Sequence, residues 1–304
     1  MNRHIIVALV GFAGLGLCIA FPYMLGAYWL GVGLQLLSWI ALTESWFAFS
    51  GLTGYVSLGH AVFYGAGAYV MAVLWQSAPL WEILLASGVT AAALALVLGY
   101  PALRVRGPYF VILTLGLSEF CKYIVIATEA ASGSGGRLLF DTPDPISLYY
   151  IMLALAAIAT VFAWTLARSR WGAGLRAIRE DETAASTVGV PVTFLKITTF
   201  VISAVIPGIV GAIWVLRTTY FEPMQMFSPT TSFSIVTMAI IGGSDVPQGP
   251  LFGSIFIVVL SELLWARAPQ IYLFLLGVLL ISFVLFIPQG IYGQLAAMAR
   301  RRKP

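Results

Sequence analysis

The sequence predicts an all-α, polytopic transmembrane helical bundle, and composition and pattern lead to this fold class. Of the 304 residues, 60% are hydrophobic and only 9% are charged, with a mean hydropathy of +0.96. Soluble domains carry roughly 25% charged residues. The apolar runs are long and continuous, whereas β-barrel strands alternate over segments of about ten residues. At about 20 residues per crossing, residues 1–304 form one transmembrane domain with roughly eight to ten segments.

Nine apolar runs are predicted to be membrane segments. They cover residues 5–21, 26–43, 46–75, 83–100, 108–127, 147–167, 192–216, 232–266 and 270–287. The first run follows basic residues as a signal peptide does, but Phe21-Pro22-Tyr23 offers no small-residue cleavage site. We therefore expect a retained first helix.

Two of these runs are too long for one plain crossing, and both are interrupted by glycine. Interrupted segments in corresponding parts of two halves indicate a transporter's central site, because freed backbone groups must be buried or line a wet cavity. The alternative is that the glycines only allow close helix packing, and whether 232–266 crosses once, re-enters or splits stays open. The candidate pathway residues are Gly54, Ser57, Gly59, His60, Thr114, Glu119, Gly242 and Gly243.

Basic residues predict the orientation, because short cytoplasmic loops are enriched in Lys and Arg. They cluster at Arg3, at 104–106, at 168–179 and at 300–303. We expect all four groups, and with them both termini, to be cytoplasmic. Residues 128–146 and 217–231 then lie outside.

Residues 168–191 are the most charged internal stretch and are predicted to be a cytoplasmic coupling loop. Residues 175–188 have a helix-forming composition, and the apolar side of that helix would comprise Leu175, Ile178, Ala185 and Val188. Gly189 is placed to cap its C-terminus, and Pro191 prevents continuation. A short surface helix of this kind suits docking into a groove on a cytoplasmic partner. The alternative is a solvated connector.

Four segments in order carry a resemblance to a known family. They read GLTGYVSLGHAVFYGAGAYV (51–70), LRVRGPYFVILTLGLSE (103–119), SRWGAGLRAIREDETAASTVGVPVTFLKITTFVISAVIPGIVGAIW (169–214) and IGGSDVPQGPLFGSIFIVVLSELL (241–264). The chain resembles the LivM-type branch of branched-chain amino acid ABC permeases. Two motifs depart from the family pattern, SGSGG at 132–136 and the turn SDVPQGP, so the resemblance is firmer for a permease than for the substrate.

The resemblance implies a heteromeric importer in the bacterial inner membrane. Its partners would be a second, LivH-like permease subunit, two cytoplasmic ABC ATPases and a periplasmic substrate-binding protein. ATP and Mg would be bound by the ATPases, with no cofactor in this chain and no nucleic acid. The family's ATPase contact carries over to Arg176, Arg179, Glu180, Asp181, Glu182 and Gly189.

Enzyme chemistry has no support in the sequence. None of the three lysines follows a glycine, so there is no G-x-x-x-x-G-K phosphate loop. Two histidines and two scattered cysteines predict no metal site, and we identify no catalytic residues. Two alternatives remain: an ion-gradient-driven secondary transporter that uses the intramembrane Glu119, which Lys122 could neutralise, or a permease of the same family for urea or short amides.

Overall fold

The computed structural model describes Gly16 and residues 18–22, 26–133 and 135–267, with 274, 277–278, 281 and 290–294. Most of the predicted spans 5–21 and 270–287, and the basic tail, lie outside the described residues. Within the described part, nearly all regular structure is helical, which confirms the all-α class. Of the helices that the structure describes, five are long and apolar enough to cross a membrane: Ala27–Gly51, Leu80–Ala102, Pro108–Ala131, Pro145–Arg168 and Val192–Thr218.

The elements follow one another with short connections. We number them α1 (Ala27–Trp46, continued by a π-helix over Phe47–Gly51), α2 (His60–Leu74), α3 (Leu80–Ala102), α4 (Pro108–Ala131), β1 (Arg137–Leu138), α5 (Pro145–Arg168), α6 (Arg170–Glu180), α7 (Glu182–Thr187), α8 (Val192–Thr218), β2 (Tyr220–Phe221), α9 (Pro223–Met226), α10 (Pro229–Gly242) and α11 (Gly249–Arg267).

The boundary predicted between spans 26–43 and 46–75 is wrong. Helix α1 runs through Glu44 and Ser45 without interruption, and both side chains are buried against protein. The break comes instead at Gly54, whose φ of +75° favours glycine. Residues 54–59 are not helical, and α2 begins at His60. The long third segment is therefore interrupted, as the glycines predict.

The second predicted interruption is also present, and it settles how 232–266 is built. Helix α10 ends at Gly242, and Gly243 has a φ of +111°. A Cβ on Gly242 would lie 1.9 Å from the Gly249 carbonyl oxygen, and one on Gly253 would lie 1.9 Å from that of Met238. These pairings make α10 and α11 an antiparallel hairpin in backbone contact. The run therefore splits into two helices, α10 and α11.

Helices α2, α3 and α8 pack at the centre through small residues. A Cβ on Gly67 would lie 1.8 Å from the Gly208 carbonyl oxygen, and one on Gly211 would lie 1.9 Å from that of Tyr64. Ser87 of α3 donates a hydrogen bond to the Gly67 carbonyl (3.2 Å). Small residues at such crossings allow backbones to approach closely. The packing role that the sequence left open for glycines is thus realised here.

The connections gather at two opposite ends of the bundle. At one, which we call the basic end, Arg106 contacts Glu182, and Lys196 donates to the Leu103 carbonyl. At the other, the far end, β1 pairs with β2, and Trp75 donates to the Phe140 carbonyl (2.7 Å). The loops around 104–106 and 168–191 therefore lie at one end, and those of 128–146 and 217–231 lie at the other. The basic residues predict the same two groups.

Candidate functional site

The loop over 168–191 forms two short helices, not the single helix predicted for 175–188. Helix α6 ends at Glu180, and the Asp181 carboxylate caps α7 by accepting hydrogen bonds from the backbone N–H groups of Thr183 (2.8 Å) and Ala184 (3.0 Å). Those bonds lower the pKa of Asp181. An aspartate followed by Glu-Thr-Ala is a typical N-cap signal, and it marks the break between the two helices.

Glu182 fixes α7 to the bundle. Its carboxylate accepts hydrogen bonds from Lys196 of α8 (2.8 Å) and from the Tyr55 hydroxyl (2.5 Å), and Arg106 lies 3.4 Å away. Desolvation raises the pKa of Glu182, but the bonds from Lys196 and Tyr55 and the nearby positive charges outweigh it and lower the pKa overall. Lys196 is itself buried, with a side chain 4% exposed. The α7 anchor is therefore a charge cluster built around the buried Lys196.

Arg179 joins α6 to both interrupted segments. Its guanidinium donates to the Gly51 carbonyl (3.0 Å) at the end of the π-helix and to the Asp245 carboxylate (2.6 Å) in the α10–α11 turn. A Cβ on Gly54 would lie 2.9 Å from the Arg179 Cγ. One side chain on the surface helix thus contacts both places where the membrane segments break.

The other predicted coupling residues are divided between anchoring and exposure. Arg176 donates to the Ala167 carbonyl (2.6 Å) at the end of α5, whereas Glu180 is exposed. Gly189, with a φ of +89°, ends α7, and the next N–H bonds back to the Ala185 carbonyl (3.1 Å), as the predicted cap requires. Val188 does not join the apolar side of the loop, because it is 79% exposed.

Four of the predicted pathway residues lie together in a packed region after the first break. Ser57 and His60 are fully buried. The Thr114 hydroxyl accepts from the Leu58 N–H (3.2 Å), and a Cβ on Gly59 would lie 3.5 Å from Thr114. In the part of the chain that the structure describes, neither ring nitrogen of His60 has a hydrogen-bond partner. These residues join the break to α4.

The remaining pathway candidates lie elsewhere. Gly54 is exposed at the basic end, beside Arg179. Glu119 forms an ion pair with Lys122 (2.5 Å) on the same helix. Gly242 and Gly243 form the end of α10 against α11. The eight candidates therefore do not share one cavity, and their role in a pathway stays a prediction.

Sequence reasoning missed two features of the interior. Glu44 is fully buried within α1. A cavity of about 240 Å³ lies between α1, α2, α8, α9 and the start of α10. Its lining residues are Gln35, Ser38, Trp39, Leu42, Tyr64, Trp214, Gln225, Met226, Ser228, Thr230 and Thr231. Polar residues on otherwise apolar helices, such as Gln35 and Ser38, are the available signal.

A second, larger cavity of about 650 Å³ opens at the basic end. It is lined by residues of the first break, of the 106–112 stretch and of the α6–α7 joint, including Gly54, Arg106, Glu180 and Asp181. Within the described ranges, no cluster of three or more His, Cys, Asp or Glu side chains could hold a metal ion. Because Arg106, Glu180 and Asp181 line the cavity, the basic end offers charged groups at its surface.

Comparison with known proteins agrees with this architecture. The family described as "Branched-chain amino acid transport system / permease component" matches residues 40–284. The high-affinity branched-chain amino acid transport system permease protein LivM of Escherichia coli (strain K12) is 27% identical over 90% of this chain and 72% of its own length. The probable LivM of Methanocaldococcus jannaschii is 26% identical over 60% of this chain and 56% of its own length.

A more distant similarity reaches a different transport system. The L-arabinose transport system permease protein AraH of Escherichia coli (strain K12) is 29% identical over 47% of this chain and 40% of its own length. No solved structure matches the chain. The family match covers most of the helical bundle, including both interrupted segments and the α6–α7 loop, and the chain therefore belongs to the family of branched-chain amino acid transport system permease components, as an integral membrane protein of the LivM type.

Proposed function

We propose that this chain is the membrane-spanning subunit of an ABC importer and that α6 and α7 receive the movement of partner ATPases. The observation that carries the proposal is the position of Arg179, which bonds both to the Gly51 carbonyl and to Asp245. A displacement of α6 would act on both interrupted segments at once. Interrupted segments are where transporter backbones bind substrates and change conformation.

The charge distribution supports the orientation that this mechanism needs. Arg104, Arg106 and the arginines of α6 all lie at the basic end, and short loops rich in arginine favour the cytoplasmic side. We infer a bacterial inner-membrane protein with both termini in the cytoplasm. The α6–α7 surface would then face the cytoplasm, and the β1–β2 ribbon would face a periplasmic substrate-binding protein.

The proposed complex contains a second, LivH-like permease subunit and two ATPases that bind ATP and Mg. Branched-chain amino acids are the proposed substrates, because two LivM proteins that are similar over 90% of this chain carry that substrate in their names. Opening one side of the bundle while closing the other around a midplane site would move the substrate inwards.

A secondary carrier driven by an ion gradient is the competing class of protein. Its main support in the sequence is Glu119, and the contacts of this residue do not favour such a role. Glu119 would have to exchange a proton or a cation, but Lys122 lies 2.5 Å from its carboxylate. The two opposite charges lie three residues apart on one helix and neutralise each other. Glu119 therefore serves better as half of a neutralised pair than as an exchange site.

The test is to purify this chain with its genomic neighbours through a tag placed on it. We expect ATPase subunits to co-purify, and Glu180→Arg to weaken that association because Glu180 is exposed on α6. Glu82→Arg, the same charge reversal at the exposed start of α3, is the matched control and should change nothing.

A second variant separates coupling from association. Asp245→Asn removes the charge that faces Arg179 but leaves the outer surface of α6 intact. We expect ATPase subunits to remain bound while transport per ATP hydrolysed falls. A chain that purifies alone and accumulates substrate in liposomes under an ion gradient would overturn the importer.

A further inference from the structure

None of the eight candidate pathway residues lines the 240 Å³ cavity, although its lining residue Tyr64 lies one turn after His60 on α2. Tyr64 lies ten residues before the far end of α2, about 15 Å along the helix axis. Ser38 lies eleven residues after the far end of α1, about 17 Å along that helix. Because the hydrocarbon core of a bilayer is about 30 Å thick, the cavity lies close to the midplane.

The lining of this cavity is uncharged and has two chemical characters. Trp39, Tyr64 and Trp214 supply aromatic walls, with Leu42 and Met226 beside them. The other six lining residues carry hydroxyl or amide groups: Gln35, Ser38, Gln225, Ser228, Thr230 and Thr231. A few polar groups among apolar walls are typical of small-molecule sites. Such sites usually measure about 300–1,000 Å³, so this cavity suits a ligand no larger than a single amino acid.

The electrostatic field around the cavity favours a negative group at one side. Helix α10 starts at Pro229, and three residues of its first turn or its cap line the cavity, so the partial positive charge of the helix N-terminus faces into it. Arg217 contacts the lining residue Trp214, with its guanidinium 4.7 Å from the centre of that ring. Among the residues that the structure describes, Arg217 has no ion-pair partner.

We propose that this cavity is a transit site for a zwitterionic amino acid with an apolar side chain. The substrate carboxylate would face Ser228 and Thr230 at the start of α10, and its side chain would pack against Trp39, Trp214 and Met226. A substrate with a net positive charge would meet no acidic lining residue. This assignment rests on the proposed function, since it names the substrate class of the same transporter.

Thr230 offers a sharp test, because it is exposed into the cavity and can change without disturbing the core. The three variants Thr230→Glu, Thr230→Gln and Thr230→Lys differ mainly in charge. The measurement is leucine uptake by the whole importer in proteoliposomes, with its binding protein and ATP. Two like charges about 5 Å apart at an effective dielectric constant near 20 repel enough for a hundredfold effect. Because the cavity is open on one side, we expect Thr230→Glu to reduce uptake at least about tenfold relative to Thr230→Gln.

The order of the three variants separates substrate contact from helix stability. A glutamate in the first turn of a helix stabilises it and a lysine destabilises it. If the substitutions act only through helix stability, leucine uptake should therefore be highest for Thr230→Glu. If they act on a substrate carboxylate, uptake should be lowest for Thr230→Glu and higher for Thr230→Gln and Thr230→Lys. Equal uptake by all three variants would indicate an uncharged occupant, such as a sugar, and would overturn the proposal, as would the structural order. If the wild-type complex transports leucine, either negative outcome leaves the importer function standing.

Discussion

Replacing Glu182 by alanine should strongly destabilise the protein, because it leaves the charge of Lys196 buried without its anion. The two groups are 2.8 Å apart, and their side chains are 15% and 4% exposed. Removing one partner of a buried ion pair costs about 3–5 kcal/mol. With roughly 2 °C lost per kcal/mol in a chain of this size, we expect the Tm to fall by about 6–10 °C.

The assay is thermal unfolding of the detergent-purified chain, followed by size-exclusion chromatography. Glu180→Ala is the matched control, because Glu180 is exposed on the preceding helix and has no ion-pair partner within the described ranges. The double variant Glu182→Ala with Lys196→Met should recover most of the lost Tm, because it removes both charges. A single variant that unfolds at the same temperature as Glu180→Ala would refute the reasoning.

Two further predictions concern helix packing and pH. Gly67→Ala should lower the free energy of unfolding by about 3 kcal/mol or more, at the upper end of overpacking effects. The reason is that the added Cβ would lie 1.8 Å from the Gly208 carbonyl oxygen. Gly116→Ala is the control, because nothing lies within 4 Å of a Cβ at that position. Comparable Tm values for the two variants would contradict the close approach. The pKa of Glu182 is lowered by folding, so its stabilisation is present above its unfolded pKa of about 4.3 and is lost as the pH falls through the folded value. Glu182→Gln should therefore have a Tm that depends less on pH between 6 and 3.5, and equal slopes in the two proteins would rule this linkage out.

The membrane class and both interruptions could be predicted because they depend on local sequence. Gly54 and Gly243 adopt positive φ values that other residues rarely adopt, and each lies within an apolar run too long for one crossing. The cap at Gly189 is equally local. Composition and the positions of the glycines were therefore sufficient to predict the all-α membrane class and both interruptions.

Features that depend on partners distant in sequence could not be predicted. Glu44 directly follows the predicted span 26–43, but α1 continues past it and neighbouring segments bury it. The partners of Arg179 lie 128 and 66 residues away, at Gly51 and Asp245. The midplane cavity is lined by residues of five elements, so it forms only when these have packed together. The break at Asp181 differs, because its capping signal was local and was overlooked.

The backbone contacts of α2 with α8 have a mechanical consequence. Where a carbonyl oxygen fills the place of a missing side chain, at Gly67 and Gly211, two helices cannot slide without colliding. Lys196 of α8 also donates to Glu182 of α7 (2.8 Å), so direct contacts run from α7 through α8 to α2. A displacement of α7 would therefore be expected to move α8 and α2 together. The flexibility that a transport cycle requires would then come from connecting segments such as the turn between Gly243 and Gly249.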